Sequence, residues 1–244
     1  MGFNSDMKQN LRPKAWLAWS SGKDSAWALH TARQGGEVEV VALVTTVNRE
    51  YGRVAMHGVL ESVLEMQAAA AGLPLVKVPI PSTCRNKEYE QAMSEAMARA
   101  RAEGVWQVVF GDLFLEDIRA YRENQLTACG MTPVFPLWRK ETRRLAEEMI
   151  AGGLSAHLTC VDPRKLDRSF AGRQFNADLL KALPPGVDPC GENGEFHTLA
   201  TAGPMFGEPI AVAQGETVER EGFVFTDFCP VRRQSADNRL AATR

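Results

Sequence analysis

Six consecutive residues, Ser20-Ser21-Gly22-Lys23-Asp24-Ser25, have the makings of an anion site. An apolar run leads into them, and the helix-like Ala26-Trp27-Ala28-Leu29 follows. Small side chains let a loop backbone approach a ligand closely. The first amides of a helix have no partner within it and point outward at its positive end. Ser20, Ser21 and Ser25 add hydroxyl donors, and Lys23 supplies a mobile point charge for phosphate oxygens. Asp24 alone would repel phosphate, so its presence points to a bridging Mg²⁺ held jointly by phosphate and carboxylate. The spacing is not that of a Walker A loop, because Asp24 follows Gly22-Lys23 and Leu17 occupies the first glycine position. A serine-capped turn with a surface Lys–Asp pair is the plainer alternative.

Two further segments carry candidate groups. Val108-Val109-Phe110-Gly111-Asp112 ends a strand, with Asp117, Arg119, Arg122 and Glu123 on the helix after it. Gly111 would let the backbone come near a ligand. Asp112 would stand at the strand's C-terminal edge, where α/β sites collect. Asp188-Pro189-Cys190-Gly191-Glu192-Asn193-Gly194-Glu195-Phe196-His197-Thr198 places an acidic pair among glycines. Glu192, Glu195 and His197 on one side of an extended segment would hold a cation, position ammonia or assist proton transfer. A strand-ending turn and a polar turn entering a strand are the alternatives. His57 falls in a loop expected to border the nucleotide, as a contact to adenine or acceptor, or simply as a surface residue. Arg139, Arg143 and Arg144 could contact phosphates, but a basic helix face is usually a solvated one.

The elements that must position these groups alternate along the chain. Strands are expected at 15–19, 39–46, 75–80, 106–111 and 132–135, each apolar without clean alternation, as in a parallel sheet covered on both faces. Helices are expected at 25–34, 59–71, 87–103, 115–129 and 140–151, each followed by glycine. The repetition implies a doubly wound α/β domain over 15–153 after an N-terminal extension, 1–14. Residues 154–231 read as a smaller α+β substrate domain, with strands at 154–160, 209–213 and 222–228. Residues 232–244 read as a loose tail.

The balance of 244 residues, 45% hydrophobic with a net charge of −2, suits a protein with a core and demands no basic nucleic-acid face. Five cysteines without a CxxC pair, and a start without a signal-like core, fit a reducing cytoplasm and argue against structural zinc.

The Ser20–Ser25 segment resembles the S-G-G-x-D-S loop of the PP-loop ATP pyrophosphatases. Together with Phe110-Gly111-Asp112, Pro136-Leu137-Trp138 and Gly191–Thr198, it is similar to the diphthine–ammonia ligase branch of that family, over roughly residues 15–205. The resemblance implies a HUP-type, Rossmann-like sheet with ATP and Mg²⁺ at the strand ends. It implies cleavage of ATP to AMP and pyrophosphate, activation of a carboxylate-bearing acceptor (a small molecule or a modified protein side chain) and amidation by ammonia. Ser20, Ser21, Gly22, Lys23, Asp24, Ser25, His57, Gly111 and Asp112 would then bind ATP, with Asp24 on the metal. Trp138, Glu192, Asn193, Glu195 and Phe196 would bind the acceptor, and Lys23, Asp24, Glu192, Glu195 and His197 would serve catalysis. A homodimer is left open. Three positions depart from the expected G-E-G-G-E-[YF]-E-T and S-G-G patterns: Ser21 and Asn193 stand for glycine, and His197 for glutamate. A nucleotide sensor without turnover and an RNA-modifying PP-loop enzyme are the competing readings.

Overall fold

A computed structural model describes residues 12–54 and 58–231. His57 and the tail 232–244 therefore lie outside the described residues, as does most of the 1–14 extension. The elements in order are β1 (Lys14–Ala18), α1 (Lys23–Gly35), β2 (Glu39–Asn48), β3 (Arg53–Val54), α2 (Glu61–Ala71), β4 (Leu75–Ile80), α3 (Asn86–Ala102), β5 (Gln107–Val109), α4 (Glu116–Ala128), β6 (Thr132–Val134), α5 (Thr142–Ala151), β7 (Ser155–Val161), α6 (Ala177–Ala182), β8 (Phe196–Ala202), β9 (Val212–Arg220) and β10 (Phe223–Pro230). Among the described residues no helix is long and apolar enough to cross a membrane.

The first sheet is parallel through β4, β2, β1, β5 and β6, with the two-residue β3 antiparallel on β2. Both of its faces are covered, as the unalternating strands require. Leu17 and Val109 face one apolar cluster, with α1, α2 and α5; Trp16 and Val108 face the other, under α3 and α4. From β1 the chain winds outward to β2 and β4, returns to β5 beside β1, and winds the other way to β6. The reversal lies between β1 and β5, and a crevice opens there at the carboxyl ends of the strands.

The second sheet is antiparallel, in the order β8-β7-β10-β9. Its Leu158, Val161, Phe196 and Leu199 join the same apolar cluster as α1. One layer of helix thus serves both sheets. The strand expected at 209–213 is instead β9, Val212–Arg220. β9 is a mostly exposed edge strand paired on one side to β10, so its sequence has no apolar run to reveal it. β8 also went unexpected as a full strand, because Thr and Ala make up most of FHTLATA and give a weak strand signal.

Candidate functional site

The loops that end β1 and β5 meet at the reversal point. A Cβ on Gly111 would lie 2.8 Å from the carbonyl carbon of Asp24 and 2.9 Å from the Ser25 nitrogen. Gly111 therefore makes room for this chain's own loop, rather than for a ligand as the sequence suggested. A cavity of about 610 Å³ opens beside this contact. Ser20, Lys23, Asp24, Ser25, Gly111, Asp112, Glu192, Phe196 and His197 line it, so nine of the residues singled out in the sequence converge on one space.

Within the loop, Gly22 is the N-cap of α1 and offers no side chain to the first-turn amides. The hydroxyls of Ser20 and Ser25 lie 3.1 Å apart, and Ser25 donates to the Gly22 carbonyl at 3.0 Å. Ser21 and Gly22 are buried behind the lining. Ser21 adopts φ 70°, in the left-handed region that favours glycine, and its buried hydroxyl has no hydrogen-bond partner among the described residues. The strain costs roughly 1 kcal/mol and the orphaned hydroxyl about 1–3 kcal/mol, against roughly 0.5–1 kcal/mol for glycine's added chain entropy. Ser21→Gly is expected to raise the melting temperature by about 2–8 °C. A calorimetric scan showing no rise would contradict this account of the position.

The second sheet and α2 hold this loop in place. Ala200 donates its N–H to the Ser21 carbonyl at 2.9 Å, and the Lys23 amide donates to Thr198 Oγ1 at 3.0 Å. Gln67 is wholly buried. It accepts from Trp19 Nε1 at 2.9 Å and donates to the carbonyls of Ser21 at 3.0 Å and Ala200 at 2.7 Å. Gln67 and Thr198 were missed as positioning residues. Gln67 had a legible signal, since it is a polar residue in the buried period Val63, Leu64, Gln67, Ala68, Ala71 of α2.

Lys23 differs most from expectation. It is a buried strut, 2% exposed, rather than a mobile cation. Its Nζ donates to Asp24 Oδ2 at 2.7 Å and to the Cys190 carbonyl, with the rings of Phe175 and Phe196 5.6 and 5.5 Å away. Burial works against its charge, yet Asp24 beside it prevails, and its pKa lies above the usual lysine value. The ammonium therefore stays charged and ties the Ser20–Ser25 loop to the 188–195 loop. Among the described residues no three His, Cys, Asp or Glu side chains form a metal cluster. A Mg²⁺ carried by a polyphosphate would need only one or two carboxylates from the protein, which Asp24 at the cavity could supply.

The 188–195 loop divides its acids. Asp188 accepts the Cys190 and Glu192 amides at 2.9 and 3.2 Å and the Thr142 hydroxyl at 2.6 Å. Gly191 has φ 71°, and a Cβ there would strike the Phe196 carbonyl at 2.8 Å, which demands glycine. Glu192 faces the cavity and accepts the Leu113 amide at 2.8 Å. Burial, then Asp24, lifts its pKa to about 7. Glu195 turns the other way, contrary to expectation. It is 3% exposed, takes the Asp188 amide and the Asn193 side-chain amide at 3.1 and 3.2 Å, and braces the loop from within. Asn193 is likewise outside the cavity lining. His197 borders the cavity, and burial, then Lys23, lowers its pKa to about 4, so it is neutral at ordinary pH. Burial raises the Cys190 thiol well above its usual pKa, and its Sγ donates to the Thr142 carbonyl at 3.3 Å.

Asp112 is held by Arg122 of α4, with Nε 2.8 Å from Oδ2 and the guanidinium 4.5 Å from the Phe110 ring. Trp138 does not reach the cavity. It stacks obliquely on Phe135 with 5.8 Å between centroids, and Arg119 lies 4.7 Å over its ring. Both aromatic rings expected at the acceptor thus already have this chain's own cations, Phe196 beside Lys23 and Trp138 under Arg119. Arg139 pairs with Glu116 at 2.7 Å, and neither it, Arg143 nor Arg144 lines the cavity.

A model of the diphthamide synthase N-terminal domain matches residues 13–133, and one of the C-terminal domain matches residues 141–236. A diphthine–ammonia ligase of Schizosaccharomyces pombe is 26% identical over 221 residues, 82% of this chain but 36% of that protein. The chain therefore spans about a third of the length of the fission yeast relative. The diphthine–ammonia ligases of Danio rerio and Bos taurus are 27% and 23% identical over 82% and 87% of this chain, covering 86% and 88% of their own lengths. With both domains of one family matched in order along most of its length, the chain belongs to the diphthamide synthase family.

Proposed function

We propose that this chain is an ATP-dependent amide-forming ligase of the diphthine–ammonia ligase kind, cleaving ATP to AMP and pyrophosphate to activate a carboxylate. The observation that carries the reading is the glycine-capped start of α1 at the sheet's reversal point, opening on the same cavity as Asp24 and Glu192. The polyphosphate sits at the start of α1 against the amides of Asp24 and Ser25 and the hydroxyls of Ser20 and Ser25, where Asp24 would hold its Mg²⁺. That ion, when bound, offsets charge on the departing pyrophosphate. The base fits the β1-side edge of β2 at Thr46, beyond the last β1–β2 pair, Ala18–Val44, and before the first β2–β3 pair, Val47–Val54; the other edge of β2 is held by β4, with Thr45 opposite Lys77 and Thr46 opposite Val78. Both threonines line the cavity.

The acceptor carboxylate oxygen attacks the α-phosphorus, and the bond from phosphorus to the bridging oxygen breaks as pyrophosphate leaves. Ammonia then attacks the acyl carbon, the bond from that carbon to the AMP oxygen breaks, and the amide nitrogen sheds a proton. Glu192 takes that proton. His197, uncharged, does not compete for the acceptor carboxylate. Glu192 also favours turnover over a sensor role, because a buried carboxylate beside a polyphosphate weakens binding unless it works in the reaction.

Phosphorus NMR of ATP, Mg²⁺, ammonium and a panel of carboxylic acids with the protein is expected to show AMP and pyrophosphate formed only with the acid present, and no turnover after chelation of Mg²⁺. ADP and orthophosphate as the products would refute the assignment.

A further inference from the structure

α3 and α4 cover the sheet without filling the space beneath them. α1 buries seven of its 13 residues, whereas α3 buries two of 17 and α4 one of 13. A helix lying on a sheet normally buries three to four residues in every two turns. Met93, Met97, Leu115, Ile118, Leu126 and Val108 line the 610 Å³ cavity, with Ser94 and Gln125 of the same helices among them. This chamber is continuous with the end lined by Asp24, Ser25, Gly111 and Glu192. An apolar space of this kind favours an apolar occupant, and methionine walls adapt to its shape. A purine there would meet Ser94 and Gln125 but mostly methionine, leucine and isoleucine around its ring nitrogens, which costs unmade hydrogen bonds. The β2 edge at Thr46, beyond the end of the β1 pairing, offers such bonds to a base, leaving the chamber to the second substrate.

We propose that the chamber between α3 and α4 receives the apolar body of the acceptor, making the preferred acceptor a small carboxylic acid with an aliphatic or aromatic body. The assignment rests on the ligase reading and adds the acceptor's class. The acid's body lies between the two helices, and its carboxylate projects toward the Ser20–Ser25 loop. Met93 and Ile118, on opposite walls, then set how long a body fits.

Calorimetric titration of the protein, loaded with Mg²⁺ and α,β-methylene ATP, with straight-chain acids from butanoate to decanoate tests this directly. Each added methylene is expected to tighten binding about fourfold until the chamber is full. Met93→Trp and Ile118→Trp, each filling the space from one side, are expected to cut the number of productive methylenes while leaving nucleotide affinity within about twofold. Melting curves of both variants verify that they are folded. Affinity independent of chain length in the wild type would overturn the proposal. So would a large loss of nucleotide affinity in both folded variants, since the chamber would then hold the base. Neither result touches the ligase reading, which fails separately if wild-type protein binds no nucleotide or makes ADP.

Discussion

Gln67→Met is expected to melt roughly 10 °C below the wild type and to bind ATP much more weakly. The substitution keeps the side chain's length and approximate volume, so packing changes little. What it removes is one acceptor and two donors in a fully buried place: the partner of Trp19 Nε1 and the amide that reaches the Ser21 and Ala200 carbonyls. Ser21 keeps the Ala200 N–H at 2.9 Å, but the indole N–H and the Ala200 carbonyl are left buried and unpaired. Each orphan costs about 1–3 kcal/mol, so a loss of about 3–4 kcal/mol is expected. At about 2–4 °C per kcal/mol for a chain of this size, the shift should exceed ordinary scatter among mutants. Gln67→Glu separates hydrogen bonding from shape. It retains an acceptor for Trp19 but sets a carboxylate against two carbonyls, and should be at least as damaging. A Met variant with wild-type melting and ATP affinity would remove Gln67 from the machinery that positions the loop.

The Gln67 bonds also show why only part of the site could be seen in the sequence. Local signals were sufficient for the parallel half. The strand expected at 75–80 is β4 residue for residue, and the helices expected at 25–34, 87–103 and 115–129 are α1, α3 and α4 within two residues at each end. Apolar runs and glycine stops are properties of neighbouring residues, and sheet order follows from right-handed crossovers. Lys23 shows the opposite case. Its type and its place after Gly22 suggest a phosphate cation, but its burial depends on Cys190, Phe175 and Phe196, more than 150 residues away in sequence. Glu192 and Glu195 are the same residue type three positions apart, each just after a glycine, yet one faces the cavity and the other the loop interior. That division comes from the turn at Gly191, from the Asp188 amide within the loop, and from the Leu113 amide, a long-range partner that no spacing rule identifies. The edge strand β9 was misplaced for a related reason: its partner is on one side only, so its composition stays polar.

Glu192→Gln should lower kcat by about 10²–10⁴ and at the same time make the protein more stable above neutrality. The two effects share one cause. Glu192 is held by the Leu113 amide at 2.8 Å, and burial, then Asp24, raises its pKa from 4.5 to about 7. A base with that pKa is half ionised near neutral pH, so wild-type turnover should rise with pH through about 7. In the glutamine variant the residual rate should lose that rise. For stability the sign follows from proton affinity. The folded state holds the Glu192 proton more tightly than the unfolded chain, so its contribution is full below pH 4.5 and declines as pH rises to about 7. Above about 7 the folded protein carries a buried carboxylate that glutamine would not. With solvent screening discounted, the variant should gain on the order of 2 kcal/mol at alkaline pH and little below pH 5. His197 shifts in the opposite direction, its stabilising contribution falling as pH drops from 6.5 toward about 4, so the comparison must be between variant and wild type at each pH. A purely structural Glu192 would predict loss of stability on substitution and an unchanged pH profile. A variant that is slow, flat with pH and hardier in alkali has one account left, in which the carboxylate is kept in a costly place because the amidation step needs a base there.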